Sequence, residues 1–333
     1  MSTPVESSTS QRILQEEILP LLFGDAPTSE TPAFVILTAQ AGAGAGRAHG
    51  WLATEHPGIV ALHAPDLAVF HPRFTDPGFT GSIEGQKQLA KVTGEWLQGC
   101  IAHARERRHS VVLEGTFRNP DVALATCERF AASGFDTRIV TVAVRPDESL
   151  LSTVSRYLRG RLEVRPTRFV TADEHRLTFA GARELIAAAE SSTVGRVTVL
   201  GRHGQVVFDR PRAGTDPVAG AAQALRAAQS QRMSALESAQ WLSELRKVTE
   251  YARSLRMLPT QLRESLVSLH EMALRAVVPQ LPVPEGSEVV RIQTEKLTAD
   301  LAGLREAARK VPEPDVAAPA VAVPVPGRGG PSR

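Results

Sequence analysis

The feature that most constrains the fold is a regular alternation of short apolar segments with longer segments of helical spacing. The apolar run 33–37 is the first clear strand signal, and an alanine- and glycine-rich turn, 39–46, separates it from the next helical pattern. Strands that alternate with helices are joined by crossover connections, which build a mainly parallel sheet flanked by helices. The sequence therefore predicts an α/β fold.

The same spacing argument places the remaining elements. After about residue 218 strand patterns disappear, and the chain becomes rich in alanine, leucine, arginine and glutamate with amphipathic helical spacing. Predicted strands are 33–37, 59–62, 110–113, 137–144, 196–200 and 205–208; predicted helices are 11–23, 83–107, 121–133, 147–161, 183–192, 221–257, 260–277 and 287–310.

These patterns predict four regions along the chain. Residues 1–30 form an N-terminal helical segment, and 31–215 form the α/β domain. Residues 216–311 form a helical appendage, and 312–333 are a disordered tail rich in proline and alanine.

Composition narrows the choice of partners and compartment. The 333 residues carry 38 basic and 36 acidic side chains, so no overall field points to nucleic acid or to an anionic membrane. Cys100 and Cys127 have no histidine or further cysteine at ligand spacing, which argues against a zinc site or a disulfide framework. No export pattern and no run of about 18 apolar residues appears, so we expect a cytoplasmic protein.

The turn 39–46 lies where backbone N–H groups and a helix N-terminus can hold phosphates. Against the phosphate-loop pattern G-x-x-x-x-G-K-[ST], Gly44 matches, whereas Ala39, Ala45 and Gly46 replace the first glycine, the lysine and the hydroxyl residue. The lysine would reach the phosphates and the hydroxyl would hold Mg²⁺. Arg47 would substitute for the lysine only if the loop shifted its register.

Two carboxylates follow predicted strands. Asp66 comes just after the second strand and Glu114 ends the third, where ligands bind in parallel sheets. Asp66 could cap a helix after Pro65 or orient an attacking hydroxyl. Gly115 beside Glu114 would let a ligand approach the backbone closely.

Several segments, taken in order, resemble the zeta-toxin family of bacterial toxin kinases over about residues 11–210. Residues 32–44 are similar to the family's strand and its G-Q-P-G-x-G-K-[ST] loop, and 66–74, DLAVFHPRF, are similar to its D-x-[FL]-x-x-x-H-P-x-[FY] segment. Residues 111–120, VVLEGTFRNP, are close to its strand ending in E-G-T. Two further stretches, 155–157 and 168–175, resemble its arginine-bearing segments.

This resemblance implies a P-loop kinase-like fold and ATP-dependent phosphorylation of the 3′-hydroxyl of UDP-N-acetylglucosamine or a related UDP-sugar. It implies an antitoxin protein as a partner, and ATP with Mg²⁺ as cofactors that the altered loop puts in question. The implied catalytic residues are Asp66 as base, with Arg156 and Arg168 stabilising the transition state. Implied cofactor-binding residues are Gln40, Gly42, Gly44, Ala45, Gly46 and Arg47, and implied substrate-binding residues are Glu114, Thr116 and Glu95.

Three alternatives stay open at this point. The protein could be an active UDP-sugar kinase, or a degenerate relative that binds a nucleotide-sugar or a protein partner because Ala45 and Gly46 replace the lysine and hydroxyl. The helices after residue 218 could instead form an interaction module or simply close on each other and on the core. For Glu95, Gln98 is a rival, and exposure to solvent is the simpler interpretation.

Overall fold

The computed structural model describes residues 7–117, 119–163, 167–255, 258–284 and 286–310; the predicted tail at 312–333 lies outside them. Six strands form one sheet in the order β2-β3-β1-β4-β5-β6, in which only β6 runs antiparallel to its neighbour. The predicted mainly parallel sheet is confirmed. The strands are β1 Ala33–Thr38, β2 Val60–His63, β3 Val111–Gly115, β4 Asp136–Ala143, β5 Arg196–Gly201 and β6 Val206–Pro211.

The central strand β1 shows why these residues form a buried parallel strand. All six of its residues are buried, as expected for a strand with helices on both faces. Successive side chains alternate between the faces of a strand, so Phe34 and Ile36 enter one core cluster while Val35 and Leu37 enter another on the opposite face.

Helices cover both faces of the sheet and extend beyond it. Within the described ranges, none is long and apolar enough to cross a membrane. The helices are α1 Ser7–Ile13, α2 Leu19–Phe23, α3 Ala45–Glu55, α4 Pro77–Thr80, α5 Ile83–Arg107, α6 Pro120–Ala132, α7 Pro146–Leu162, α8 Ala172–Ser191, α9 Ala221–Gln229, α10 Ala235–Ser254, α11 Thr260–Met272 and α12 Glu288–Lys310.

Two predicted helix boundaries are wrong, and capping explains both. Helix α8 begins at Ala172, well before the predicted residue 183, because the Thr171 side chain accepts a hydrogen bond from the Glu174 N–H. The predicted single helix 221–257 is broken after α9. The next helix, α10, begins at Ala235, and the side chain of its N-cap Ser234 forms a reciprocal capping box with Glu237.

The helices after residue 218 make two kinds of contact with the α/β region. Helix α9 packs on β5 and β6, and its Ala221 and Leu225 belong to the main core cluster. Helices α10 to α12 build a second cluster with α7, in which Leu150 and Leu158 pack with Trp241 and other side chains. A domain boundary at residue 215 stays a prediction.

Candidate active site

The turn after β1 is shaped by two glycines. Gly42 and Gly44 have φ angles of +81° and +83°, a region that is costly for residues with a Cβ. Gly44 is the N-cap of α3, which begins at Ala45. The turn therefore leads directly into a helix N-terminus, which favours bound anions.

Two hydrogen bonds attach the glycine turn to neighbouring parts of the protein. The Gln40 amide donates to the Val144 carbonyl at 2.6 Å, and the Ala41 N–H donates to Thr178 Oγ1 at 3.2 Å. Gln40 is only 2% exposed. Gln40 thus fixes the turn, its part in cofactor binding stays a prediction, and the Ala41 N–H is already engaged by the protein.

Arg47 does not reach back toward the place of the missing lysine. Its Nη1 lies 3.0 Å from both the Arg202 carbonyl oxygen and His203 Nδ1, in the turn between β5 and β6. The register shift that would let Arg47 substitute for the lysine at Ala45 is therefore not the arrangement in this structure.

The two predicted carboxylates lie at the carboxyl ends of adjacent strands, and each is paired with a histidine. Glu114 is in register with His63 across β2 and β3, and its Oε2 lies 2.5 Å from His49 Nε2 on α3. Asp66 lies in a 3₁₀-helix, Ala64–Phe70. Its Oδ1 lies 3.2 Å from His63 Nδ1, and its side chain is 80% exposed.

Hydrogen bonding and neighbouring charges shift the pKa values of Asp66 and His63 in opposite directions. The hydrogen bond from His63 lowers the pKa of Asp66 against the opposing effect of burial, and the charge of His49 adds to that lowering. Burial acts to lower the pKa of His63, but the hydrogen bond with Asp66 and the charges of Glu114 and Asp66 outweigh it and raise that pKa. Asp66 is therefore ionised at neutral pH, with one side of its carboxylate facing solvent.

Sequence reasoning missed His49 and His63. The signal for His63 was present, because it ends β2 three residues before Asp66, and the ends of neighbouring parallel strands meet at one edge. No comparable signal existed for His49, since its contact with Glu114 depends on how α3 packs beside β3.

The other two predicted substrate-binding residues are Thr116 and Glu95. Thr116 is partly buried in the loop that follows β3. Glu95 is exposed on α5, the helix that packs along β2 and the 3₁₀-helix. Exposure to solvent is the arrangement observed for Glu95, and its contact with substrate stays a prediction.

The two predicted arginines lie in different surroundings. Arg156 is exposed on α7 and lines a cleft of about 920 Å³ between α7, the β5–β6 turn and α10. Arg168 is paired with Glu174 on the first turn of α8. The structure thus brings Arg156 to an open cleft and engages Arg168 in an ion pair.

A buried pair of polar side chains backs the glycine turn. His175 Nε2 lies 2.8 Å from Ser149 Oγ, and the Thr178 hydroxyl, which binds the turn, donates to the His175 carbonyl at 2.9 Å. Burial lowers the pKa of His175 to about 4. His175 is therefore neutral at physiological pH and links α7, α8 and the turn as a structural brace.

Acid should weaken this brace. Because the folded-state pKa of His175 lies below its usual 6.5, its contribution is fully present above pH 6.5 and is lost as pH falls toward 4. We expect the free energy of unfolding to decline over that interval, with His175 contributing about 3 kcal/mol of the change. His175→Gln, which keeps a polar group near Ser149, should flatten this dependence in denaturant titrations between pH 4 and 7. An equally steep dependence in the variant would contradict the assignment.

The described residues contain no group of three or more histidine, cysteine, aspartate or glutamate side chains arranged to hold a metal ion. Space beside the turn is open, because a Cβ added at Gly44 or Gly46 would meet nothing within 4 Å. The chain therefore fits a phosphate chain at the turn, but it offers no hydroxyl at position 46 for magnesium.

Comparison with known proteins supports the resemblance noted in the sequence. Toxin PezT of Streptococcus pneumoniae serotype 4 is 24% identical over 131 residues, which are 39% of this chain and 52% of that protein. Toxin zeta of Streptococcus agalactiae is 25% identical over 129 residues, 38% of this chain and 45% of that protein. The chain spans about half the length of these curated relatives.

The fold of this chain is similar to that of a solved structure. A structure from the characterisation of the PezAT chromosomal toxin–antitoxin system of Streptococcus pneumoniae superposes with a TM-score of 0.61 at 20% identity, covering 74% of this chain and 97% of that one. At this identity the likeness shows the fold alone. Residues 21–212, more than half of the chain, match the Zeta toxin family model. The chain belongs to the Zeta toxin family.

Proposed function

We propose that this protein is a phosphotransferase that moves a phosphoryl group from ATP to a hydroxyl of UDP-N-acetylglucosamine or a related UDP-sugar. The observation that carries this proposal is the pair of histidine-held carboxylates, Asp66 and Glu114, at the ends of β2 and β3, where β3 is paired with the strand β1 that leads into the glycine turn. Membership of the Zeta toxin family supports it.

On the donor side, the turn and the N-terminus of α3 bind the phosphates through backbone N–H groups. Magnesium bound to those phosphates would neutralise part of their charge, and this chain supplies it no hydroxyl at Gly46. Arg156, exposed at the cleft, offers a planar guanidinium that suits phosphate oxygens.

On the acceptor side, Asp66 orients the attacking hydroxyl. Phosphoryl transfer has a loose transition state in which positioning matters more than strong proton abstraction, so a carboxylate with a lowered pKa suits the task. His63 fixes one oxygen of Asp66 and leaves the other for the hydroxyl. Glu114, held by His49, would accept hydrogen bonds from the sugar.

A transfer assay with ATP, Mg²⁺ and UDP-N-acetylglucosamine tests the proposal. We expect slow but measurable phosphorylation by the wild type, and a rise of about 10²–10³-fold in Ala45→Lys/Gly46→Ser, since one preorganised electrostatic contact has that worth. Space at position 46 admits the serine. The proposal fails if the wild type makes no phosphorylated sugar at high enzyme concentration while the restored variant does.

A second candidate is a degenerate relative that binds a nucleotide-sugar without turnover. The engagement of Arg47 by the β5–β6 turn favours it, because Arg47 then does not stand in for the lysine at Ala45. Calorimetry separates the two candidates: UDP-sugar binding with no binding of Mg²⁺-ATP supports the degenerate protein, and tight binding of Mg²⁺-ATP argues against it.

Three broader assignments are also proposals. We infer an antitoxin protein as a partner, supported by the relatives named as toxins and by the structural counterpart from a toxin–antitoxin system. We infer a cytoplasmic location. Residues 31–215 would carry the transfer chemistry, with the helices after them as an appendage.

A further inference from the structure

The cleft beside α7 has a wall that lies outside the region matched by the family. Its outer side is formed by α10, which begins at Ala235, after the match ends at residue 212. Trp241 fastens α10 to α7, because its Nε1–H donates to the Asp147 carbonyl at 3.2 Å. The cleft is therefore built jointly by the α/β region and the appendage.

Cations predominate in this cleft. Arginines 145, 156, 159, 202 and 232 line it, against glutamates 148, 237 and 244. Arg202 Nη1 lies 2.9 Å from Glu148 Oε1 without a well-aligned hydrogen bond, and Arg202 Nη2 donates to Ser152 Oγ. Arg145 is paired with Asp147. Arg156 has no hydrogen-bonded or ionic partner in the described part of the chain. This composition suits an anionic ligand, and the volume of about 920 Å³ is that of a small-molecule site.

Glu244 on α10 already occupies part of this cationic surface. Its Oε1 accepts hydrogen bonds from Ser155 Oγ and, at 2.7 Å, from Arg159 Nη2, both on α7. Burial would raise the pKa of Glu244, but these two donors outweigh it and lower that pKa, so the side chain is a carboxylate at neutral pH. A hydroxyl together with a guanidinium is also a donor set that binds phosphate oxygens well.

We propose that Glu244 is a built-in competitor that holds, between Ser155 and Arg159, the position of a phosphate group of a nucleoside polyphosphate bound in the cleft. Binding of the ligand would displace the Glu244 carboxylate and free both donors on α7. Arg47, on the first turn of α3, contacts His203 at the edge of the cleft, so a ligand could extend from the glycine turn into it. The proposal rests on the proposed function only for the choice of ATP as the nucleotide.

Binding without turnover tests this idea. Inorganic tripolyphosphate and a non-hydrolysable ATP analogue would be titrated into the full chain and into Glu244→Gln at low salt, by calorimetry. We expect the variant to bind both ligands about tenfold more tightly, because the binding-competent state no longer has to be freed from an internal carboxylate. A gain for the ATP analogue alone would also support the proposal and would place the nucleoside in the cleft.

Controls separate competition from a general change in charge. Glu250→Gln makes the same change at an exposed position of α10 and should leave both affinities unaltered. Adding Arg159→Ala to Glu244→Gln should remove the gain. Glu244→Ala serves as a second variant, and melting temperatures confirm folding. Equal or weaker binding of both ligands by folded Glu244 variants overturns the proposal, whereas tighter binding without phosphoryl transfer would overturn only the proposed function.

Discussion

Replacing Asp66 by asparagine should slow phosphoryl transfer by about 10²–10⁴-fold, the usual contribution of a positioned acid–base group. The Asp66 side chain is 80% exposed, and within the described residues its ion-pair partner is His63, so little stability depends on it. Asparagine keeps the shape but loses the charge that is proposed to orient the acceptor hydroxyl. The loss should therefore appear in kcat, with the melting temperature almost unchanged.

The measurement is steady-state transfer to UDP-N-acetylglucosamine, together with calorimetric affinity for the sugar. We expect the affinity of Asp66→Asn to stay within about threefold, because the interaction removed is one made mainly in the transition state. Asp25→Asn is the control. It changes an exposed position well before Asp66 in the sequence and should leave kcat unaltered. A kcat for Asp66→Asn close to that of the wild type would remove Asp66 from the mechanism.

The convergence of Asp66 and Glu114 could be predicted because it follows from topology. Parallel strands place their carboxyl ends at one edge, so two carboxylates that follow strands become neighbours once the sheet forms. The histidines that hold them could be predicted only in part. His63 lies on a strand end, whereas His49 reaches Glu114 through the packing of α3, which the spacing of residues along the chain does not encode.

Two further differences between the sequence-based prediction and the structure have local causes. The break before α10 was readable in the Ser234 to Glu237 capping box, but the amphipathic spacing continues on both sides and suggested a single helix. A motif also gives the identity of an arginine but not its partner. Arg168 pairs with Glu174 on the next helix, while Arg156 faces the cleft.

Gly42→Ala should be the most damaging single substitution in the glycine turn, costing about 2–4 kcal/mol through the left-handed φ angle and a backbone clash. A Cβ at this position would lie 2.1 Å from the Ser149 carbonyl oxygen and 2.9 Å from Thr153 Cγ2, both on α7. The Ser149 side chain is also hydrogen-bonded to His175. Relieving the clash would therefore disturb both the turn and the contact between Ser149 and His175. Affinity for tripolyphosphate should fall with stability.

Neighbouring glycines supply a graded control for this effect. Gly44 shares the positive φ angle but has open space around its Cβ position, so Gly44→Ala should cost only about 1–2 kcal/mol. Gly46 has open space and lies in α3, where alanine is favoured over glycine by up to about 1 kcal/mol. Denaturant titrations should therefore rank the variants Gly46→Ala, Gly44→Ala and Gly42→Ala in falling stability. If Gly42→Ala were no less stable than Gly44→Ala, the close packing of the turn on α7 would not be what fixes its shape, and the backbone cradle proposed for the phosphates would lose its support.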